Sequence, residues 1–355
     1  MAKKAPPPPR KGRWENITIP LNVQPEGGET DKVAVINVML RRWTGPRHPM
    51  VPRIDPGYVF REDLVAEVAR CAWPPNGYPP LAPLFSGPKG CGKSSIVKQI
   101  AARCNVPVWS FNCNVGTTVR QFKGRGGARD GSTVFHEGIV TQAMEAEVGW
   151  LVIDEVSAAA PPVAMALFPV FEPDGDVALE DAEPPRYIKR SKWFRVFATD
   201  NTIGADQEET RFNYAGTNPD VNEAFLDRFG GVIPVDYLPA ALEYEAVLGK
   251  VPEVDPDVLE GIIRSMGLLR QSTIDYAFST RAAINWAMRC AASALDADGQ
   301  TRSLVFADSP EVVKVAGPAF LNGMRSKLER TSAIEIISRV FPTSSAPVPP
   351  TPRAP

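Results

Sequence analysis

The strongest constraint on the fold is a glycine-rich segment, residues 87–94, which reads GPKGCGKS and has the spacing G-x-x-x-x-G-K-S. Glycines let the backbone wrap around a phosphate without Cβ clashes, so that successive N–H groups converge on its oxygens. The lysine of such a loop reaches the β- and γ-phosphates, and the hydroxyl residue after it ligates Mg²⁺. The segment therefore predicts a nucleoside triphosphate site with Mg²⁺. The residues predicted to hold the nucleotide are Gly87, Gly90, Cys91, Gly92, Lys93, Ser94 and Ser95, and Ser94 is also a predicted metal ligand.

The segments on either side of this loop fit that prediction. A short apolar run at 84–86 predicts a strand that begins after Pro83, and residues 94–103 have apolar residues at helical spacing. A helix that follows the loop directs its N-terminus at the phosphate. A glycine-rich turn before an ordinary helix is the alternative, and the segments downstream argue against it.

A second segment with candidate catalytic residues, 150–155, reads WLVIDE. Apolar residues that end in two carboxylates predict a strand buried on both faces, with its carboxyl end in a site. Asp154 is predicted to hold Mg²⁺ through its water shell, and Glu155 to polarise the attacking water as general base. A solvated acidic turn is the alternative, and it is less favoured beside a nucleotide loop.

Candidate polar partners for the phosphates follow further along the chain. Residues 194–199 predict a third strand, after which Asn201 either hydrogen-bonds the lytic water or caps a turn. Phosphoryl transfer requires a cation near the γ-phosphate besides Lys93. Arg228, after an apolar helical turn, and Arg281, at the start of an apolar helix, are the candidates. A surface salt bridge is the ordinary alternative for either arginine.

These segments, in this order, resemble the AAA+ ATPases, most closely the MoxR branch and its cobaltochelatase ATPase subunits. The resemblance covers roughly residues 51–341. Stretches that carry it besides the motifs above are 51–60 (VPRIDPGYVF), 135–140 (FHEGIV) and 194–204 (FRVFATDNTIG). It implies an α/β fold, a P-loop AAA+ core with a parallel sheet flanked by helices, followed by a C-terminal helical lid.

The resemblance also implies roles for the remaining residues. It implies a ring, usually a hexamer, with ATP between subunits. Asn201 then falls on sensor 1, Arg228 on the arginine finger that acts in trans, and Arg281 on sensor 2, with its action in cis or in trans left open. The sequence departs from the family at Asp200, where a small residue is usual, and at Pro83 and Pro169.

Composition limits the class of partner and the compartment. The net charge of −2 and the pI near 5.9 give no overall attraction to nucleic acid or to anionic membranes. Five cysteines without a CxxC pair predict a reduced, cytoplasmic protein. The N-terminus lacks the apolar stretch of a signal peptide, and no segment is long and apolar enough to span a bilayer.

Four regions are predicted along the chain: an N-terminal extension (1–50) with a disordered basic Pro-rich arm and a strand at 33–40, an α/β nucleotide-binding domain (51–237), a helical lid (238–341) and a disordered Pro-rich tail (342–355). Strands are expected near 84–86, 107–112, 150–153, 194–199 and 231–236. Lid helices are expected at 240–248, 257–269, 280–295, 309–326 and 333–340. Pro169 is expected to kink or stop a helix at 163–171.

Two loops, near 117–132 and 173–193, fall where this AAA+ branch carries hairpin inserts that face the central pore. Charge runs are usually solvated faces. The alternative hypothesis is that basic residues of both inserts line the channel and grip an acidic partner or a polyanion. These residues are Arg120, Lys123, Arg125, Lys189, Arg190 and Lys192.

The sequence therefore predicts an ATP-hydrolysing ring motor that remodels or activates a partner protein, with a von Willebrand A domain protein as the expected partner. One alternative is the motor subunit of a cobalt-chelatase-type complex. A nucleic-acid-stimulated motor is another, which the acidic pI does not favour. A non-catalytic scaffold is disfavoured because every expected catalytic position is filled.

Overall fold

A computed structural model of the chain describes residues 12–23, 34–129, 132–201, 227–292, 294–295 and 301–342. Residues 1–11 of the predicted basic arm and 343–355 of the predicted tail lie outside the described residues. The first described element is an antiparallel hairpin of two ten-residue strands, β1 (Trp14–Val23) and β2 (Ala34–Trp43). The strand predicted at 33–40 is confirmed, whereas β1 was not predicted.

The nucleotide-binding region follows with alternating helices and strands. Its helices are α1 (Glu62–Ala72), α2 (Lys93–Arg103), α3 (Val119–Lys123), α4 (Ile139–Glu145) and α5 (Pro161–Phe171). Its strands are β3 (Leu84–Ser86), β4 (Val108–Asn112), β5 (Gly124–Arg129), β6 (Ser132–Glu137), β7 (Val148–Asp154), β8 (Val177–Leu179), β9 (Arg186–Ile188), β10 (Trp193–Asp200) and β11 (Val232–Pro234).

Five of these strands form one parallel sheet in the order β11-β3-β10-β7-β4. The five predicted strands are confirmed, with ends that differ by at most two residues. Side chains of β7 alternate between two apolar cores: Leu151 and Ile153 pack on one face, Trp150 and Val152 on the other. Because both faces are covered, the strand is apolar throughout, as a buried parallel strand requires.

The N-terminal hairpin belongs to one of these cores. Ile19, Leu21, Leu40 and Trp43 are buried together with residues of α1 and α2. The ring of Trp14 lies 5.9 Å from that of Trp73 and 5.4 Å from that of Trp193. The extension therefore packs directly on the nucleotide-binding layer.

Both predicted inserts are antiparallel hairpins. The first consists of β5 and β6 and extends to Glu137, and the second consists of β8 and β9. Helix α5 continues through Pro169 and ends two residues later, at Phe171. The helix therefore does not stop at Pro169 itself, and the alternative of a kink at this residue stays a prediction.

The C-terminal region is helical: α6 (Ala240–Leu248), α7 (Pro256–Arg270), α8 (Thr280–Ala291), α9 (Ser309–Ala319) and α10 (Lys327–Val340), with two short strands, β12 (Ala294–Leu295) and β13 (Thr301–Arg302). These helices share a third core, in which the ring of Trp286 contacts those of Phe320 and Phe341. In the described part of the chain, no helix has the length and apolar character needed to cross a membrane.

Three of the predicted lid boundaries are wrong. Helix α8 ends at Ala291, not at 295, and α9 ends at Ala319, not at 326. Helix α10 begins at Lys327 instead of 333, because the Ser326 hydroxyl accepts from the Glu329 N–H and caps the helix there. Pro318 interrupts the backbone hydrogen bonds at the end of α9, which favours its termination.

Candidate functional site

A cavity of about 490 Å³ lies where the glycine-rich loop, the carboxyl ends of β4, β7 and β10, and the lid meet. The carboxyl edge of a parallel sheet is the usual position of ligands in open α/β folds. Among the residues lining it, those predicted from the sequence are Gly90, Cys91, Gly92, Lys93, Ser94, Ser95, Asp154, Glu155, Asn201 and Arg281. The fold therefore gathers four separate chain segments around one space.

The loop conformation depends on its glycines. Gly87 has φ +155°, and a Cβ built there would lie 1.9 Å from the carbonyl oxygen of Val235. Gly92 has φ +98° and is the N-cap of α2, so the left-handed conformation favours glycine at this position. The loop can thus turn sharply between β3 and α2 and present the helix N-terminus to the cavity.

Lys93 is the central cation of the site. Its Nζ donates to the carbonyl oxygens of Gly87 and Pro88 at 2.7 and 2.8 Å, and to Oδ1 of Asn201 at 2.9 Å. Burial lowers the pKa of the Lys93 ammonium, and the neighbouring Cys91 thiol opposes that shift. The three acceptors hold the ammonium between the loop and the end of β10.

Asp154 ends β7 and is held from the neighbouring strand. The Thr199 hydroxyl donates to its Oδ1 at 2.9 Å, and Lys98 Nζ lies 4.0 Å from its Oδ2. Ser94 and Asp154 line the same cavity and present only oxygen ligands, the type that Mg²⁺ prefers. The donor set therefore fits Mg²⁺.

Glu155 and Asn201 form a direct pair. The Asn201 amide donates from Nδ2 to Oε1 of Glu155 at 3.0 Å, while its Oδ1 accepts from Lys93. Glu155 has φ +55° and ψ +50°, a left-handed conformation that is rare for a residue with a side chain and is found disproportionately at functional sites. A carboxylate fixed in this way can orient and deprotonate a water molecule.

Asp200, which departs from the family pattern, has a structural partner. Its side chain is buried, and its Oδ2 accepts from the backbone N–H of Ser157 at 3.1 Å. Its carbonyl oxygen accepts from Gly87 N–H at 3.2 Å. Asp200 thus connects the end of β10 both to the glycine-rich loop and to the turn after Glu155.

Arg281 reaches the cavity from the lid. It lies in the first turn of α8, and the hydroxyl of the N-cap Ser279 accepts from the Ala282 N–H at 3.2 Å. A Cβ built at Gly90 would lie 2.5 Å from Cβ of Ser279, so the start of this helix contacts the loop. Thr280, between Ser279 and Arg281, donates from its hydroxyl to the buried carboxylate of Glu243. The same carboxylate accepts two hydrogen bonds of 2.7 Å from Arg270.

Arg228 lies apart from the other predicted site residues. Its guanidinium forms an ion pair with Glu172 at the end of α5 and lies 5.4 Å from the centre of the Phe168 ring. It does not line the cavity of its own chain. The structure therefore brings Arg281, but not Arg228, to the predicted phosphate site.

Several of the basic insert residues have intrachain partners. Arg120 pairs with Asp181 and Lys123 with Glu180, each at 3.5 Å, so oppositely charged residues join α3 to the second hairpin. The hypothesis that Arg190 grips a partner is disfavoured, because its guanidinium is used within the chain. Burial lowers its pKa to about 10, and it donates to the carbonyl oxygens of Pro169 and Val170 at the end of α5.

Sequence reasoning missed several cavity residues: Asp55, Tyr58, Lys98, Thr199 and Lys250. Thr199 could have been found, because parallel pairing of Ala198 with Ile153 places it beside Asp154. Tyr58 lies in the stretch 51–60 that carries the family resemblance, and burial raises the pKa of its hydroxyl. Lys250 approaches from the lid, where no local motif marks it.

The chain is similar in sequence to several known proteins. Residues 83–229 match the family described as AAA domain (dynein-related subfamily). The chain is 33% identical over 250 residues to the aerobic cobaltochelatase subunit CobS of Sinorhizobium sp, an alignment that covers 67% of this chain and 72% of that protein. It is 28% identical over 223 residues to BssE of Thauera aromatica, covering 62% and 73% of the two chains. It is also 28% identical over 266 residues to the gas vesicle ATPase GvpN of Haloferax mediterranei, covering 69% and 72%.

Proposed function

This chain belongs to the MoxR branch of the AAA+ ATPases, and from that premise we propose that it is a ring motor that uses ATP to remodel or activate a partner protein. ATP hydrolysis is the activity of the family. The ring, a hexamer in our proposal, would hold each ATP between neighbouring protomers. We further propose a cytoplasmic location, which the five unpaired, buried cysteines support.

The proposed mechanism assigns a task to the sequence-predicted residues that line the cavity. Backbone N–H groups of the loop and the Lys93 ammonium bind the phosphates of ATP. Glu155, oriented by Asn201, removes a proton from the attacking water. Ser94 and Asp154 would hold Mg²⁺, which neutralises phosphate charge when bound. Arg281 reaches the phosphates from the lid of the same chain, since it lines the same cavity.

The position of Arg228 is the observation that carries the ring proposal. It is partly exposed, pairs with Glu172 and lies outside its own cavity, whereas the other predicted catalytic residues line that cavity. A cation on the outer surface can complete a site on an adjoining protomer. In a closed ring the same head-to-tail contact repeats, so that every site receives one Arg228 from its neighbour.

The partner is proposed to carry a von Willebrand A domain, and Glu155→Gln tests for a client. Because this variant keeps the phosphate-binding groups and loses the base, it should bind ATP, slow hydrolysis about 10²-fold or more and retain its client. Lys93→Ala is the control, since it loses the phosphate-binding cation and should capture nothing. The measurement is mass spectrometry of proteins that co-purify with each variant in MgATP.

Equal recovery of proteins on both variants would contradict client capture. Full turnover by Glu155→Gln would contradict the assignment of the base. Recovery of a protein with no von Willebrand A domain would contradict the proposed partner class and leave the ATPase assignment in place.

A second candidate function is the ATPase subunit of a cobalt-chelatase-type complex, favoured by the 33% identity to CobS. In this alternative, partner subunits would supply the metal and corrin sites. Capture of chelatase subunits by the Glu155→Gln protein would support it. Failure of this chain to promote cobalt insertion in a mixture with those subunits would contradict it.

A further inference from the structure

The loop of residues 53–58 is fixed to the P-loop helix α2 through backbone groups. The Asp55 N–H donates to Gln99 Oε1 at 2.9 Å, and its carbonyl oxygen accepts from Arg103 at 2.9 Å. The Gln99 amide also donates to the Arg53 carbonyl oxygen at 3.2 Å. Both Gln99 and Arg103 lie on the helix that begins with Lys93. The loop is therefore anchored to the phosphate-binding helix.

The side chain of Asp55 connects that unit to the lid. Oδ1 accepts from the Gly57 N–H at 3.2 Å, which shapes the loop, and Oδ2 forms an ion pair with Lys250, just after α6. Each polar group of Asp55 is thus used, and the contact with Lys250 crosses between the nucleotide-binding region and the lid. Asp55 and Lys250 both line the nucleotide cavity.

A close backbone contact accompanies the ion pair. A Cβ built at Gly57 would lie 2.6 Å from the carbonyl oxygen of Gly249, so the loop and the end of α6 touch without intervening side chains. Since Gly249 directly precedes Lys250, the ion pair and this contact form a single junction. It is separate from the contact between Ser279 and Gly90, where the lid meets the glycine-rich loop.

We propose that Asp55 and Lys250 form a latch that holds the lid closed over the nucleotide cavity and thereby sets the affinity for nucleotide. Asp55 is a positioning residue: it acts through Lys250 and α6, on the placement of the lid that carries Arg281. The latch couples α2 to the lid because the same residue bonds to both. The proposal rests on ATP binding by this chain and is separate from the identity of the partner protein.

The size of the effect follows from the exposure of the pair. The side chains of Lys250 and Asp55 are 36% and 22% exposed, so solvent screens their attraction. Partly exposed ion pairs contribute modestly, which corresponds to about a threefold to fivefold change in an equilibrium constant. A latch of this strength stabilises the closed lid while still allowing it to open on nucleotide release.

The test uses full-length Asp55→Asn, Lys250→Met and the double variant. Asparagine keeps an oxygen that can accept from Gly57 N–H, so Asp55→Asn removes mainly the charge. Lys314→Met is the matched control, because Lys314 forms an exposed ion pair with Glu311 within α9, away from the cavity. The measurements are the Kd for mant-ADP with Mg²⁺, kcat and KM for ATP, and the melting temperature.

We expect each single variant to raise the Kd for mant-ADP about threefold to fivefold and the KM for ATP with it, with little change in kcat or melting temperature. The double variant should bind mant-ADP no more weakly than either single variant does, because both substitutions remove the same interaction. The advantage of the wild type over Asp55→Asn should shrink between about 0.05 M and about 0.5 M NaCl. The control should match the wild type.

Three results would overturn the latch. A higher Kd for mant-ADP in Lys250→Met alone, with no change in Asp55→Asn, would show that Lys250 contacts the nucleotide directly. A lower melting temperature with unchanged Kd in Asp55→Asn would show that Asp55 serves only the stability of its loop. Additive losses in the double variant would show that the two residues act separately. Absence of mant-ADP binding by the wild type would instead contradict the ATPase assignment itself.

Discussion

Single residues in the candidate site are held by neighbours from other segments of the chain. Asp154 accepts from Thr199, Glu155 accepts from Asn201, and Asn201 in turn accepts from Lys93. Partners that orient a ligand or a base tune its chemistry without touching the substrate. The contact between Thr199 and Asp154 is therefore a direct way to test the proposed Mg²⁺ site.

Thr199→Val removes the hydroxyl that donates to Asp154 and keeps the shape of the side chain. Loss of such an outer contact commonly weakens metal binding about 10-fold to 100-fold, so we expect the Mg²⁺ concentration for half-maximal ATPase activity to rise by about 10-fold. The measurement is a Mg²⁺ titration of ATPase rate at saturating ATP. Thr199→Ser, which retains the hydroxyl, is the control.

An unchanged Mg²⁺ titration for Thr199→Val would contradict the role of Asp154 in holding the metal. An equal rise in the half-maximal Mg²⁺ concentration in Thr199→Ser would show that the packing of the methyl group, and not the hydrogen bond, supports metal binding.

Much of this site was predictable because its chemistry lies in short local segments. The loop at 87–94 and the carboxylates after β7 each combine a residue pattern with a fixed backbone shape. Asp55 and Lys250 were not predictable in this way. They lie 195 residues apart in sequence, and their contact depends on how the lid packs against the nucleotide-binding region.

At the scale of elements, the N-terminal hairpin shows how a proline can hide the alternating pattern of a strand. Ile17, Ile19 and Leu21 alternate with polar residues or Pro20, as the period of a strand requires. Pro20 and the adjoining Pro-rich arm argue against a strand, since proline cannot donate in the middle of a sheet. A two-stranded hairpin tolerates it, and Pro20 pairs opposite Asn37.

Leu21→Ala should destabilise the protein because Leu21 is 1% exposed and packs in the core shared with α1 and α2. Removing a buried leucine side chain of this kind costs about 2 to 4 kcal/mol. The measurement is the free energy of unfolding from urea denaturation. Met39→Ala is the control on the same hairpin, because Met39 is 67% exposed.

Met39→Ala is expected to change the free energy of unfolding by no more than about 0.5 kcal/mol. If both variants left stability unchanged, the hairpin would not be part of the core, and the N-terminal extension would be an independent appendage.

The lid helices illustrate a second limit at this scale. Apolar periodicity located each of them, but their ends depend on capping, as Ser326 shows at the start of α10.

A residue of the second insert illustrates a third limit of prediction from sequence. Arg190 has the charge of a channel residue, yet it is half-buried and donates to backbone carbonyls in the last turn of α5. Charge alone does not specify which face a side chain takes.

At the scale of the whole molecule, the proposed motor requires two contacts between moving parts. Residues of the lid line the cavity of their own chain, with Arg281 on α8 and the proposed latch beside α6. Arg228 lies on a different surface, beside the end of α5. A seam between protomers that joins the Arg228 surface of one chain to the cavity of the next would complete the catalytic site.

The most direct test of this seam is complementation between two inactive variants. The Arg228→Ala protein retains the base Glu155, whereas the Glu155→Gln protein retains Arg228. Each variant therefore lacks one half of the proposed site. If Arg228 acts on the neighbouring protomer, an equal mixture assembled at random contains intact sites at about a quarter of its seams. We therefore expect the mixture to hydrolyse ATP at about a quarter of the wild-type rate. A mixture no faster than the average of its two inactive components would contradict a catalytic site shared between protomers.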